Sequence, residues 1–190
     1  IAPSVSISST ASSMTSGVFT VTVEYSEVVT GFAVGDITVS NGAAGNFTSV
    51  IAGKRWTADI TPTSDGEVTV NIAAATATDG TGNENTVASE FSITNDETAP
   101  TVALSSGSAV SGVYAVTAQF SESVSSFDLA DITITDGTVS NFTAVDGDTY
   151  TFAVSSTSAS ASVDIAAGVS TDAAGNGNTA AAQITLSFNN

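Results

Sequence analysis

Apolar and polar residues alternate along much of this chain with a period of two. Val21, Val23 and Tyr25 fall on one side of residues 18–25, with Thr and Glu on the other. The same alternation marks Val5/Ile7, Ile37/Val39, Phe47 to Ile51, Trp56/Ala58/Ile60, Val68/Val70/Ile72 and Phe91/Ile93. Successive side chains of a strand point to opposite faces, so this pattern predicts strands with one buried and one wet face. Turn signals separate them: the Asn41-Gly42 pair and the stretch Pro62 to Gly66. No window of 11 or more residues carries a helical stripe. The reading is all-β, with seven short strands in this first stretch.

The pattern then repeats. SGVFTVTVEYSE (16–27) returns as SGVYAVTAQFSE (111–122), GDITVSNG (35–42) as ADITITDG (130–137), GNFTSV (45–50) as SNFTAV (140–145), and ATDGTGNENT (77–86) as STDAAGNGNT (170–179). This is a tandem duplication with its seam at Asn95–Thr98, giving units 1–95 and 96–190. Strands of the second copy are predicted at Val102/Leu104, Tyr114 to Phe120, Ile132/Ile134, Phe142, Tyr150 to Val154, Val163/Ile165 and Ile184 to Phe188. Each unit reads as a seven-stranded Greek-key β-sandwich. The small-residue stretch SSTSASAS (155–162) reads as a flexible surface loop. Trp56 and Tyr150 occupy matching strand positions and read as core anchors. Phe47 and Phe142 read as core residues inside Asn-Phe-Thr tripeptides that also fit a glycosylation pattern. Asp36 and Asp131 each begin the same strand and read as turn caps.

Composition narrows the chemistry. Two bases, Lys54 and Arg55, face 19 acids, for a net charge of −17. Such a chain repels nucleic acid and anionic membrane surfaces. Clustered carboxylates also raise the cost of ionising one another, which a divalent cation relieves. There is no Cys and no His. Disulfides, thiol chemistry and a Ser-His-Asp arrangement are thereby excluded, and zinc or copper sites are disfavoured. No apolar run approaches the ~20 residues of a membrane span. The acids sit in loops and are duplicated, which suits a single active site poorly. The expectation is therefore no enzyme.

Four short motifs recur in order: Asp96-Glu97-Thr98-Ala99-Pro100; Tyr25-Ser26-Glu27 with Phe120-Ser121-Glu122; residues 36–42 with 131–137; and residues 78–83 with 171–176. By these motifs the chain resembles the bacterial Ig-like repeats of large secreted or surface adhesins, over nearly its whole length and twice. The resemblance implies rigid extracellular stalk segments at the bacterial cell surface, monomeric, with neighbouring repeats of the same long chain as partners. It also implies Ca²⁺ at domain junctions. The first copy keeps only Ile1-Ala2-Pro3 of the incoming segment, and its expected Asp falls upstream.

In a sandwich of this strand order, the incoming segment and the loops after the second and sixth strands lie at one end. That brings Asp96, Glu122, Asp172 and Asn176 toward one point, with Glu97 as a further candidate. Calcium takes six to eight oxygens from carboxylates, amides, carbonyls and water. Gly175 permits the tight turn that would let Asp172 and Asn176 face inward together. Glu27, Asp79 and Asn83 are the first-copy equivalents and form a half-site at most. Neither loop is an EF-hand: Ala174 and Gln183 stand where oxygen ligands belong. Bland roles stay open: Asp96 as a solvated linker residue, Asp172 and Asn176 as Asx turn formers, Glu122 as a strand-end charge. The functional alternative is a ligand-binding module, for glycan or protein, of an adhesin or secreted hydrolase, which would show aromatics on an open face.

Overall fold

The computed structural model describes residues 1–189, which divide into two compact units, Ile1–Glu97 and the stretch from Thr98 onward. The first unit contains ten strands: β1 (Val5–Ser9), β2 (Met14–Thr15), β3 (Phe19–Tyr25), β4 (Val29–Thr30), β5 (Ile37–Ser40), β6 (Gly42–Ile51), β7 (Arg55–Pro62), β8 (Gly66–Ile72), β9 (Thr78–Asp79) and β10 (Phe91–Asn95). They form two four-stranded sheets, ordered β1-β3-β7-β6 and β2-β10-β8-β5, and a small ribbon of β4 with β9. Seven of these are the strands expected from alternation. The other three, β2, β4 and β9, have two residues each, too short to leave a periodic signal. The second unit contains β11 (Val102–Ser106), β12 (Val113–Phe120), β13 (Ile132–Thr135), β14 (Thr138–Ala144), β15 (Thr149–Ser155), β16 (Ser160–Ile165) and β17 (Ile184–Ser187). Its sheets run β11-β12-β15-β14 and β13-β16-β17. This is the order of an Ig-like β-sandwich in each unit.

The alternating residues face inward as their spacing requires. Val21, Val23 and Tyr25 are fully buried, as are Ile60, Val68, Val70 and Ile72, and in the second unit Val116, Val154, Val163 and Ile165. Beneath the incoming end of each unit lies an aromatic cluster. In the first, Phe32 stands 5.1 Å from Trp56 and 5.3 Å from Tyr25, and Phe47 stacks on Trp56 at 6.3 Å. In the second, Phe127 stands 4.9 Å from Tyr150 and 5.1 Å from Phe120, with Phe142 stacked on Tyr150 at 5.7 Å. Phe32 and Phe127 lie in loops, outside any alternating run, so the pattern did not disclose them. They pin the loop after the second strand to the core, which matters for the site below.

Three local readings can be compared with the structure. Asp36 and Asp131 do cap the turns before their strands: each carboxylate accepts a backbone N–H, from Ala33 and Asp128 respectively, at 2.8 Å. Asn46 and Asn141 adopt positive φ (44° and 54°), where the pairing of β6 with β7 and of β14 with β15 slips register. The Asn-Phe-Thr tripeptides thus mark β-bulges that turn Phe47 and Phe142 toward the core. Half of the stretch 155–162 is strand rather than loop. Ser155 ends β15, and Ser160 to Ser162 open β16, leaving 156–159 as the turn. Ala161 is small, but its inward alternation with Val163 and Ile165 makes it core.

Tyr25 carries a cost that its counterpart Phe120 avoids. Its hydroxyl is fully buried with no hydrogen-bond partner, and burial pushes its pKa up. Thr76 opposes that shift only in part, its own hydroxyl being directed to Ala73 O and Asn85 Oδ1. A buried polar group left unsatisfied costs ~1–3 kcal/mol. Tyr25→Phe is therefore expected to stabilise the first repeat by about 1 kcal/mol, raising its melting temperature by ~4–8 °C. A fall in calorimetric melting temperature would refute this.

Candidate metal centre

Each repeat carries a tight turn after its sixth strand, built around one aspartate. In the second repeat, Asp172 Oδ1 accepts the backbone N–H groups of Ala174, Gly175 and Asn176 at 2.7–2.9 Å. Its Oδ2 accepts the Asn176 side-chain amide at 2.8 Å. Gly175 has φ +95°, a conformation that suits glycine and closes the turn. In the first repeat, Asp79 Oδ1 accepts from the backbone N–H groups of Thr81 and Asn83 and from the Thr81 hydroxyl, and Oδ2 accepts the Asn83 amide. Both aspartates are nearly buried (6% and 8% exposed), and the loops hold them ionised. For Asp172, burial is the largest single influence and opposes ionisation. The Asn176 amide and the three backbone donors together outweigh it, so the pKa is lowered. For Asp79, the Asn83 side-chain amide is the chief cause, and the pKa falls far below the usual carboxylate range.

The sign of the pH effect follows. A carboxyl whose pKa is depressed on folding contributes stability in full above its unfolded value near 4, and that stability is lost as pH falls through the folded value. Asp79→Asn is expected to lower the melting temperature of the first repeat at pH 7. It should also flatten the loss of stability from about pH 5 downward. Parallel acid limbs for wild type and variant in melting curves would contradict this.

Cross-ties bring the site loops together. Ser125 and Thr171 exchange backbone hydrogen bonds at 2.7 and 3.3 Å, joining the loop after the second strand of this repeat to the Asp172 loop. In the first repeat the β4–β9 ribbon makes the equivalent tie, Val29 opposite Asp79. The incoming segment is held by Thr179 N–H on Pro100 O at 2.8 Å and by Ser121 N–H on Thr101 O at 2.9 Å. As a result Glu122 and Asp172 bring carboxylate oxygens within 4.8 Å of each other at one end of the second unit, while Asp96 lies on the unit that ends at Glu97.

The remaining candidates are placed differently. Asn176 donates its side-chain amide to Asp172 Oδ2 and so braces that carboxylate. Glu97 lies on the first unit. Its N–H donates to Asp65 Oδ1 at 2.7 Å, and its side chain lies near Gly17. Glu27 is exposed. Among the described residues no third carboxylate joins Glu27 and Asp79 in a comparable group, and Asn83 braces Asp79 as Asn176 braces Asp172. The donor set at Asp96, Glu122 and Asp172 is oxygen only, anionic and partly withdrawn from water, which fits a hard cation such as Ca²⁺. Carbonyls and water would complete its shell.

The loops also contain two buried residues that a reading of charge and motif passes over. Asn178 Oδ1 accepts Ser170 N–H at 2.9 Å, and its amide donates to Ala166 O and Thr179 O at 3.0 and 2.8 Å. Asn85 does the same in the first repeat, accepting from Thr76 and Ala77 and donating to Ala73 O and Thr86 O. Their signal is the second Asn of the Gly-x-x-Asn-Thr ending, at identical places in both copies.

Comparison with known proteins bears on the same architecture. The chain aligns with the Escherichia coli adhesin FdeC at 18% identity and TM-score 0.47, covering 97% of this chain and 62% of that one. It aligns with Yersinia pseudotuberculosis InvD at 15% identity and TM-score 0.40, covering 98% and 57%. The adhesin InvE of the same organism gives 14% identity and TM-score 0.33, covering 99% and 59%. The chain thus spans less than two thirds of each of these structures. No curated protein matches it in sequence. The bacterial Ig-like domain family matches residues 1–94 and again 96–188. The chain belongs to the bacterial Ig-like domain family, in two consecutive copies that together take in nearly every residue.

Proposed function

We propose that the chain is a non-catalytic stalk or extender segment of a bacterial surface or secreted adhesin, stiffened by Ca²⁺ held at Asp96, Glu122 and Asp172. The observation that carries this reading is the approach of the Glu122 and Asp172 carboxylates from two separate loops at one end of the second repeat. The adhesin role itself rests on the resemblance of the four recurring motifs. Asp96 N–H donates to Thr15 O at 2.9 Å, so the residue is fixed through its backbone where the first repeat ends. Glu122 and Asp172 belong to loops of the second repeat. A cation shared among the three ties the segment leaving one repeat to two loops of the next and restrains the hinge. The chemistry it supplies is charge neutralisation: without it, three like charges at this spacing push the segments apart. Asp172 would bring a carboxylate already oriented by three backbone N–H donors on Oδ1 and the Asn176 amide on Oδ2.

The proposed setting is extracellular, with neighbouring repeats of the same chain as partners. A glycan- or protein-binding module would place aromatics on an open face. No aromatic ring is exposed among the described residues, so nothing favours that alternative. The test is calorimetric titration with CaCl₂ after EGTA treatment. Wild type is expected to bind one ion, and Glu122→Gln to lose that binding. A wild-type chain that takes up no calcium at millimolar concentration would end this reading.

A further inference from the structure

The two repeats differ at one sheet edge. In the first repeat β2 lies parallel to β10, Met14 beside Thr94 and Thr15 beside Asn95, and Thr94 N–H donates to Ser13 O at 3.1 Å. Asn95 fastens this pairing. It is 1% exposed, its Oδ1 accepts Gly17 N–H at 3.0 Å, and its amide donates to Ser64 O at 3.1 Å. In the second repeat β17 takes the place of β10, antiparallel to the strand before it. Phe188 follows β17 and stands where Asn95 stands, its N–H on Ala159 O as Asn95 pairs with Gly66. Its ring packs on Tyr114 at 5.1 Å and has no amide with which to hold a strand. Ala109 and Val110, which match β2 in sequence, do not pair with β17. Val110 instead exchanges backbone bonds with Val113 at 2.9 and 3.1 Å, across a turn with Ser111 and Gly112 at φ 51° and 75°, and is 75% exposed. Among the described residues no strand lies along the outer edge of β17. A cavity of about 350 Å³ opens there, lined by Ser108, Ala109, Gly112, Tyr114, Ser187 and Phe188.

We infer that this edge is a strand-accepting site for a partner polypeptide, an extended and uncharged Ser/Thr-type segment seated parallel to β17 as Ser13–Thr15 is seated on β10. Phe188 N–H points to Ala159 O on the β16 side, so Thr185 and Ser187, which alternate with it, direct their N–H and C=O groups the other way. An edge of this kind templates a further strand, and extended peptides add to it by main-chain bonds. The lining sets the partner's chemistry. No charged side chain borders the cavity, so a basic segment finds no carboxylate there to pair with. An acidic segment is repelled by a chain of net charge −17. The occupant of the matching place in the first repeat is likewise uncharged, with Met14 and Thr15 half-buried. Tyr114 competes for the edge: its hydroxyl donates to Ser187 O at 2.7 Å and takes an acceptor that an added strand uses. At the matching position of the first repeat Phe19 has no hydroxyl, and there β2 is in place.

The test uses the two-repeat chain, with a synthetic peptide copying residues 10–17 (TASSMTSG) as the probe. Amide exchange at Thr185 and Ser187 is followed by NMR, with Thr94 as the reference for an edge already covered. Both amides are expected to exchange fast in the free chain and to slow on addition of millimolar peptide, while Thr94 stays unchanged. Tyr114→Phe frees the Ser187 carbonyl and should tighten peptide binding by ~2–10-fold, the worth of one net hydrogen bond. Thr185→Pro removes an edge N–H, a change that edge strands tolerate, and should abolish binding without lowering the melting temperature of the second repeat. Absence of protection with peptide would overturn the site. So would protection of both amides in the free chain, whether independent of concentration, through residues 108–110, or growing with it, through a second copy: the edge is then already occupied. Should Thr185→Pro fail to fold, Tyr114→Phe decides, tighter binding upholding the site and unchanged or weaker binding refuting it.

Discussion

Removal of divalent cations with EGTA is expected to lower the melting temperature of the second repeat by about 6–11 °C relative to calcium at ten times its dissociation constant. Binding that favours the folded state stabilises it by RT ln(1 + [L]/Kd), about 1.4 kcal/mol at tenfold excess. For a domain of under 100 residues, each kcal/mol moves the midpoint by ~4–8 °C. Extracellular calcium modules have dissociation constants of ~10⁻⁴–10⁻³ M, so millimolar CaCl₂ supplies the required excess only toward the tight end of that range. Glu122→Gln removes one of three anionic ligands and should abolish the calcium-dependent shift while leaving the metal-free midpoint little changed or raised, since one repelling charge is gone. The same addition of calcium should narrow the distribution of end-to-end distances in small-angle scattering. Equal midpoints and equal scattering with EGTA and with calcium would sink the cation mechanism.

Trp56→Ala should have the larger effect on the fold and be confined to the first repeat. Trp56 is nearly buried and sits among Tyr25, Phe32 and Phe47. Truncating a buried Trp typically costs ~3–5 kcal/mol through lost transfer energy and the cavity left behind. A domain has only ~5–15 kcal/mol to lose, so a fifth or more of the stability goes. The transition of the first repeat is expected to fall by at least ~12 °C in calorimetry. The second unit has its own core, with Tyr150 in the matching place, and its transition should stay put. A loss below ~1 kcal/mol, or an equal fall of both transitions, would contradict the reading of Trp56 as an anchor of one core.

Much of the scaffold can be read from single residues. Val21, Val23 and Tyr25 alternate with polar neighbours because one face of β3 is buried, and the duplication lets each strand be checked against its copy. The readings that went astray did so for local reasons. Serine and alanine in 160–162 have weak strand preference, yet pairing with β17 and inward packing of Ala161 override it. Phe32 and Phe127 were missed because a single aromatic in a loop has no period. The site was legible in part. The placement of the Glu122 and Asp172 loops at one end of the second repeat follows from strand order and chain direction. The bracing roles of Asn176 and Asn178 do not, because which atom of an amide faces which carbonyl is set by the closed loop.

By itself the sequence determined the all-β class, the duplication, the two cores and the restriction to oxygen ligands, since alternation, repeat spacing and the absence of His and Cys are properties of the chain read in order. Tertiary structure alone decided that Ser125 zips to Thr171, that three backbone N–H groups converge on Asp172 Oδ1, and that Glu97 lies against Gly17 and Asp65. The first and last of these depend on contacts between residues tens of positions apart. The energy of such contacts is fixed by burial and hydrogen-bond direction, neither of which is encoded in the local pattern.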